Sequence, residues 1–167
     1  MNTLATQAAI TPIPHTPAAL IDHILTNFHE VHRRELPELV QLARKVAARH
    51  GDHPLSPGRL APILESLQAE LLDHMRKEED VLFPMMRMGG HPMIGHPIAR
   101  MRIEHDDHHT RLEQLRLITQ GYRLPEDACP TWRALYAGLN KFTTDLMNHV
   151  HLENNLLFPQ FARPQAG

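Results

Sequence analysis

The chain is short of several things, and each shortage closes off a class of function. It has one cysteine, Cys129, in 167 residues, so no internal disulfide can form, which fits a reducing cytoplasm. Aromatic residues are few, at five Phe, two Tyr and one Trp, and they make no platform on which bases could stack. Charge of one sign is missing too: 17 basic residues stand against 19 acidic ones, and no basic arm or block suits nucleic acid. No Lys or Arg precedes Arg33 and no long apolar run occurs, so neither a signal peptide nor a membrane span is expected. Period-two alternation, the mark of a half-buried strand, is absent from every segment. The length suits one domain with a proper core.

Histidine is what the chain has in excess. Fourteen in so short a sequence invite a metal hypothesis. Residues 1–15 are small, polar and Pro-containing and read as a loose tail before a domain over 16–163. Thr16-Pro17 is an N-cap followed by Pro at the first helical position, opening a helix to about His50 that Pro37 is expected to kink or divide. Ser56-Pro57 repeats the cap signal for a second helix to about Met88. After "GGHPMIGHP" a third helix covers roughly 97–120, and Pro130 opens a fourth through Leu157. Apolar residues recur at steps of three and four: Ile21, Leu25, Phe28; Leu60, Leu64, Leu67, Leu71, Leu82, Met85; Ile98, Met101, Leu112, Leu115; Leu135, Leu139, Phe142, Leu146, Leu156. The pattern predicts an all-α, antiparallel up-down four-helix bundle.

Those stripes are interrupted by polar residues. "HMRKEEDVLFP" (74–84) and "HVHLENNLLFP" (149–159) each place a histidine four residues before a glutamate, so that both lie on one helix face, and each ends Leu-Phe-Pro. His74 with Glu78, and His149 with Glu153, occupy positions where the stripe calls for apolar side chains. An unpaired buried carboxylate costs several kcal/mol, a large part of a domain's net stability. No Lys or Arg shares those stripes, whereas a metal cluster would compensate, and imidazole with carboxylate suits iron, manganese or zinc. Helix register brings His29 from the first helix and His105 and His109 from the third to within about one 5 Å turn of the two pairs. The candidate ligands are therefore His29, His74, Glu78, His105, His109, His149 and Glu153, around two metal ions that Glu78 and Glu153 would bridge.

Ordinary alternatives apply to the other candidates. A heptad step favours His108 over His109, so the two compete for one inward position. His32 shares the face of His29 and is expected beside the site. His50 lies 21 residues beyond His29, about 30 Å along a continuous helix, and is left out. His15, His23, His53, His91 and His96 fall in loops or off the stripes, and His151 should point away from His149. Glu30, Glu79 and Glu104 adjoin candidate ligands and could hydrogen-bond to them, though an exposed carboxylate is the commoner outcome. The eight methionines read as core filling.

With these residues in view, the chain resembles hemerythrin-like di-iron proteins, and more narrowly the repair-of-iron-centres family. The resemblance rests on "LIDHILTNFHEVHRRELPEL" (20–39), "HMRKEEDVLFPMM" (74–86), "EHDDHH" (104–109) and "LENNLLFP" (152–159). It implies a pair of non-haem irons, oxo- and carboxylate-bridged, that binds nitric oxide and protects or repairs iron–sulfur proteins in the cytoplasm under nitrosative or oxidative stress, in a monomer or small homo-oligomer. Family members often carry an N-terminal domain with a cysteine pair, which this sequence does not show. The His105/His109 spacing resembles that of oxygen-carrying hemerythrins, but in those an aspartate follows the last histidine by five, where here Glu153 follows His149 by four. Ferritin-type bundles use Glu-x-x-His pairs and more carboxylates, the reverse of the order found here. A carrier or sensor of dioxygen, a di-iron nitric oxide reductase and a structural zinc site are the alternatives.

Overall fold

Thr16 opens the first helix as the sequence predicts: its Oγ1 accepts the Ala19 N–H at 3.4 Å, with Pro17 at the first helical position. The computed structural model describes residues 12–161, so residues 1–11 of the expected tail and the last two of the expected domain, 162 and 163, lie outside the described residues. Four helical rods follow one another. The first is α-helical over Pro17–Ile24 and Glu30–Arg49, with a π-helical turn at Leu25–His29 between them. The second comprises Leu60–Lys77, a π turn at Glu78–Leu82 and Phe83–Arg87. The third is the uninterrupted α-helix Gly95–Ile118. The fourth comprises Pro130–Leu152, a π turn at Glu153–Leu157 and a short 3₁₀ turn at Phe158–Gln160. No strand occurs among the described residues.

Side-chain pairs fix the directions. His29 meets Glu79 while Arg44 meets Glu65, and His74 meets Glu104 while Arg111 meets Glu70, so rising number on one helix pairs with falling number on the next. His105 reaches Asn154, and Lys141 reaches Glu35 while His149 reaches His29, which closes the ring of four antiparallel helices. None of the described helices is long and apolar enough to cross a membrane.

Two local expectations are corrected. Pro37 does not divide the first helix; it sits on the exposed face, where the carbonyl it leaves unpaired can turn to water. Ser56-Pro57 does not cap the second helix, which starts only at Leu60, after a turn in which the Leu60 N–H donates to the Pro57 carbonyl.

The π turns shift the burial pattern by one residue. In each, an N–H reaches back five residues instead of four: Glu30 to Leu25, Phe83 to Glu78, Phe158 to Glu153. Pro84 and Pro159 have no N–H to close the competing α-helical bonds, and this favours the wider turn just before them. The inward face consequently passes through Ile24 rather than Leu25, Met86 rather than Met85, and Leu157 rather than Leu156.

The core is not continuous. One apolar cluster gathers Leu36, Leu64, Leu71, Trp132, Leu139 and Phe142 with their neighbours; a second gathers Leu20, Ile24, Phe83, Met101, Leu157 and Phe158. Between them lies a buried layer of His29, His32, His74, Glu78, His105, His108, His149 and Glu153. Leu71, fully buried beside this layer, should cost about 2–5 kcal/mol on replacement by Ala. Met88→Ala, at a residue 85% exposed, should stay within about 0.5 kcal/mol in the same denaturant titration. Equal effects would contradict the assignment of core and surface.

Candidate metal centre

The three π turns all adjoin the polar layer. His29 closes the first, and Glu78 and Glu153 open the others. In both Leu-Phe-Pro segments the wide turn also carries the phenylalanine onto an imidazole: Phe83 stacks on His29 with centroids 5.7 Å apart, and Phe158 on His105 at 5.8 Å. The repeated ending is thus a repeated packing device.

Four imidazoles turn their Nε2 atoms inward. His29 and His149 bring theirs to 3.2 Å, and His74 and His105 do the same. Glu78 Oε1 is 2.7 Å from His74 Nε2 and 3.8 Å from His29 Nε2. Glu153 Oε1 is 2.8 Å from His149 Nε2, and its Oε2 is 2.9 Å from His105 Nε2. Two sets of donors result, His29/Glu78/His149/Glu153 and His74/Glu78/His105/Glu153, each with its donor atoms within 4.8 Å of one another. Both carboxylates belong to both sets.

The outward nitrogens hold the rings in place. Nδ1 of His29 donates to Glu79 Oε1 at 2.7 Å, that of His74 lies 3.3 Å from Glu104 Oε1, and that of His105 donates to Asn154 Oδ1 at 2.8 Å. Nδ1 of His149 lies 3.2 Å from His32 Nε2, which accepts from it when His32 is neutral. Fixing the proton on Nδ1 leaves Nε2 as an acceptor facing other acceptors. Arg33 holds Glu79, and Lys77 and Arg100 hold Glu104, so the outer carboxylates are themselves anchored.

This geometry fits metal ions. Both oxygens of Glu78 and Oε2 of Glu153 are buried without a directed hydrogen bond, despite nitrogens under 3 Å away, because those nitrogens point at the same interior spaces rather than at the oxygens. Two nitrogens bound side by side to one metal at about 2.1 Å stand about 3 Å apart, close to the separation of each Nε2 pair. Two imidazoles and two shared carboxylates per position suit iron, and leave coordination positions for a small ligand.

Without metal, protons must compensate. Burial, reinforced by the charge of Glu153, pushes the Glu78 carboxyl up. Burial works against a charged His74, but Glu78, Glu153 and Glu104 together outweigh it and push the imidazole up to about 9. Burial, then the neighbouring His149, holds His32 down at about 2; burial, then His74, holds His108 down at about 3. The hydrogen bond from His29, helped by Arg33, lowers the Glu79 carboxyl to about 2.

Six of the seven expected ligands are therefore brought together: His29, His74, Glu78, His105, His149 and Glu153. His109 is not. It is exposed, and His108 takes the inward position, because the third helix has no π turn to shift its three-and-four step beyond His105. His32 lies beside the layer, as its shared face with His29 suggests. His50 sits at the far end of the bundle, 3.2 Å from Cys129 Sγ, and His151 is exposed against Asn155. Glu79 and Glu104 could be suspected from adjacency to candidate ligands. Asn154, next to Glu153 inside a π turn, follows no periodic rule, and only the fold reveals it.

The family model described as Hemerythrin HHE cation binding domain matches residues 20–161. A probable iron-sulfur cluster repair protein of Haemophilus influenzae is 48% identical over 143 residues, covering 86% of this chain and 64% of the relative. An iron-sulfur cluster repair protein of Yersinia pseudotuberculosis is 49% identical over 144 residues, covering 86% and 65%. One of Yersinia pestis matches at the same identity and coverage. The chain thus spans slightly less than two thirds of the length of these relatives.

An orphaned buried carboxylate makes the metal-free protein less stable than its fold allows. Glu78→Gln should raise the stability of the metal-free form by about 1–3 kcal/mol in denaturant while reducing bound iron. A metal-free Glu78→Gln protein less stable than the parent would contradict the geometry. Glu79→Ala, which frees the His29 ring, should weaken iron binding by roughly 10–100-fold in a competition titration. Unchanged affinity would show that the outer carboxylate is incidental.

Proposed function

The chain belongs to the hemerythrin HHE cation binding domain family, and on that footing we propose that it is a di-iron, iron-handling protein that repairs or protects iron–sulfur proteins. His29 and His149 would hold one iron, His74 and His105 the other, with Glu78 and Glu153 bridging both. The observation that carries this reading is the pair of donor sets sharing two buried carboxylates. The names of the relatives, all iron-sulfur cluster repair proteins, supply the partner class.

When bound, the irons supply Lewis acidity and one-electron redox change together with open positions for a diatomic ligand. Nitric oxide is the ligand proposed, in keeping with a role under nitrosative stress in the cytoplasm, where a single cysteine needs no oxidising partner. The protein's own residues do the rest. Glu79, Glu104, Asn154 and His32 hold the outer nitrogens, so that each inner nitrogen is aimed at the space a metal would fill. Phe28 and Phe83 stack on His149 and His29 and limit water on that side. Glu153 follows His149 on the same face, so one helix delivers a terminal donor and a bridge together.

The purified chain should contain about two irons, absorb as an oxo-bridged ferric pair, and in its diferrous form restore activity to a [4Fe–4S] enzyme damaged by nitric oxide beyond what free ferrous ion achieves. Glu153→Ala should lose most of the iron and the restoration. Zinc alone, no metal, or recovery no better than free iron would overturn the reading. Reversible oxygenation without recovery would instead identify a carrier.

A further inference from the structure

The two halves of the layer are enclosed differently. Around His29 and His149 stand three phenylalanines and one imidazole: Phe83 stacked on His29, Phe28 and His32 stacked on His149, and Phe142 edge-on to His32. Around His74 and His105 stand one phenylalanine, Phe158 stacked on His105, and one other imidazole, His108 against His74. The His108 ring lies 4.8 Å from that of His74, edge-to-face, and 6.3 Å from that of His105. It is 2% exposed, and its buried Nδ1 has no hydrogen-bond partner. A buried polar atom left unpaired costs about 1–3 kcal/mol, so this imidazole calls for a reason other than packing.

Two surface clefts reach it. One, of about 380 Å³ between the second and third helices, has Asp73, Lys77, Glu104, Asp107 and His108 in its wall. The other, of about 230 Å³ between the third and fourth helices, is lined by His105, His108, His109, His151 and Asn154 among others. His108 alone lines both, and His109 and His151, too exposed to join the layer, stand in the second. His32, the matching imidazole beside His149, also has an unpaired buried Nδ1, but its Nε2 meets Nδ1 of His149 and it lines neither of these clefts; the carboxylate of Glu79 on that flank is taken up by His29 and Arg33.

We propose that His108 is a transfer ligand, a metal-binding position outside the bridged pair through which a ferrous ion passes between the His74/His105 position and solvent. The inference deepens the iron-handling role and rests on it. The exchange moves no electrons: a bond from iron to the imidazole of His74 or His105 breaks as a bond to His108 forms, and iron stays ferrous throughout. The imidazoles of His109 and His151, in the cleft between the third and fourth helices, would then accept the ion from His108; in the other cleft Asp73 is paired with Arg76 and Lys77, and Lys77, Arg100 and Arg111 stand in the wall. A protein built this way has two inequivalent irons, one exchangeable through His108 and one retained behind phenylalanine.

The test is release of iron from the anaerobic diferrous protein to an excess of a coloured ferrous chelator. The native chain should release its irons in two phases of equal amplitude, one per chain in each. His108→Leu should still load two irons but slow the faster phase by roughly tenfold or more, whereas His108→Asp, which keeps a donor, should stay close to the native rate. A merely structural His108 predicts the opposite sign, with His108→Leu loosening the layer and speeding release. Faster or unchanged release in His108→Leu, single-phase release by the native chain, or an Asp variant as slow as the Leu variant would overturn the proposal while leaving the two-iron reading intact. A native chain that takes up no iron would overturn both.

Discussion

Glu78 and Glu153 are fully withdrawn from water between two apolar clusters, and a carboxylate so placed must meet positive charge or take up a proton. Much of the structure follows from how that requirement is met. The lysines and arginines of the neighbourhood sit outside, on Glu79 and Glu104, and do not touch the inner carboxylates. Inside, the partners are imidazoles whose outer nitrogens are hydrogen-bonded to neighbouring helices; without metal the carboxylates push His74 up to about 9, and around metal ions the inner nitrogens would be free to donate. A layer that needs cations, whether protons or metal, makes the fold and the metal one thermodynamic problem.

The outer contacts are balanced between the two positions. Each donor set has one imidazole backed by a carboxylate, His29 by Glu79 and His74 by Glu104. Each also has one backed by a neutral group, His149 by His32 and His105 by Asn154. A carboxylate behind an imidazole makes it a stronger donor, so two metals held there would receive similar electronic support although their surroundings differ. The π turns serve the same geometry. By widening the helix at Glu78 and Glu153 they bring adjacent residues inward together, Glu153 with Asn154 and Leu157 with Phe158. The prolines that follow remove the hydrogen bonds that would restore regular helix.

Much of this was legible in the sequence. Four helices, their order and the inward placement of the two His/Glu pairs follow from apolar periodicity and the cost of burying charge. Periodicity failed where the helix itself departs from 3.6 residues per turn. Leu25, Met85 and Leu156 were expected inside, and their neighbours Ile24, Met86 and Leu157 are there instead, each beside a π turn. His109 was expected to face the site through an i, i+4 step from His105, but in a regular helix the i+3 position, His108, is the one turned inward. The hydrogen-bond partners of the ligands were partly visible, as Glu79 and Glu104 adjoin candidate residues. Asn154 and the acceptor role of His32 depend on contacts between helices that no local spacing encodes.

The central claim is that two metal ions share Glu78 and Glu153. An anomalous difference map from crystals of the iron-loaded protein, with data on both sides of the iron absorption edge, tests it most directly. The account predicts two peaks of similar height about 3.5–4 Å apart, one flanked by His29 and His149 and the other by His74 and His105, with both glutamates between them. A single peak, or iron bound anywhere that leaves Glu78 and Glu153 without metal, would contradict it.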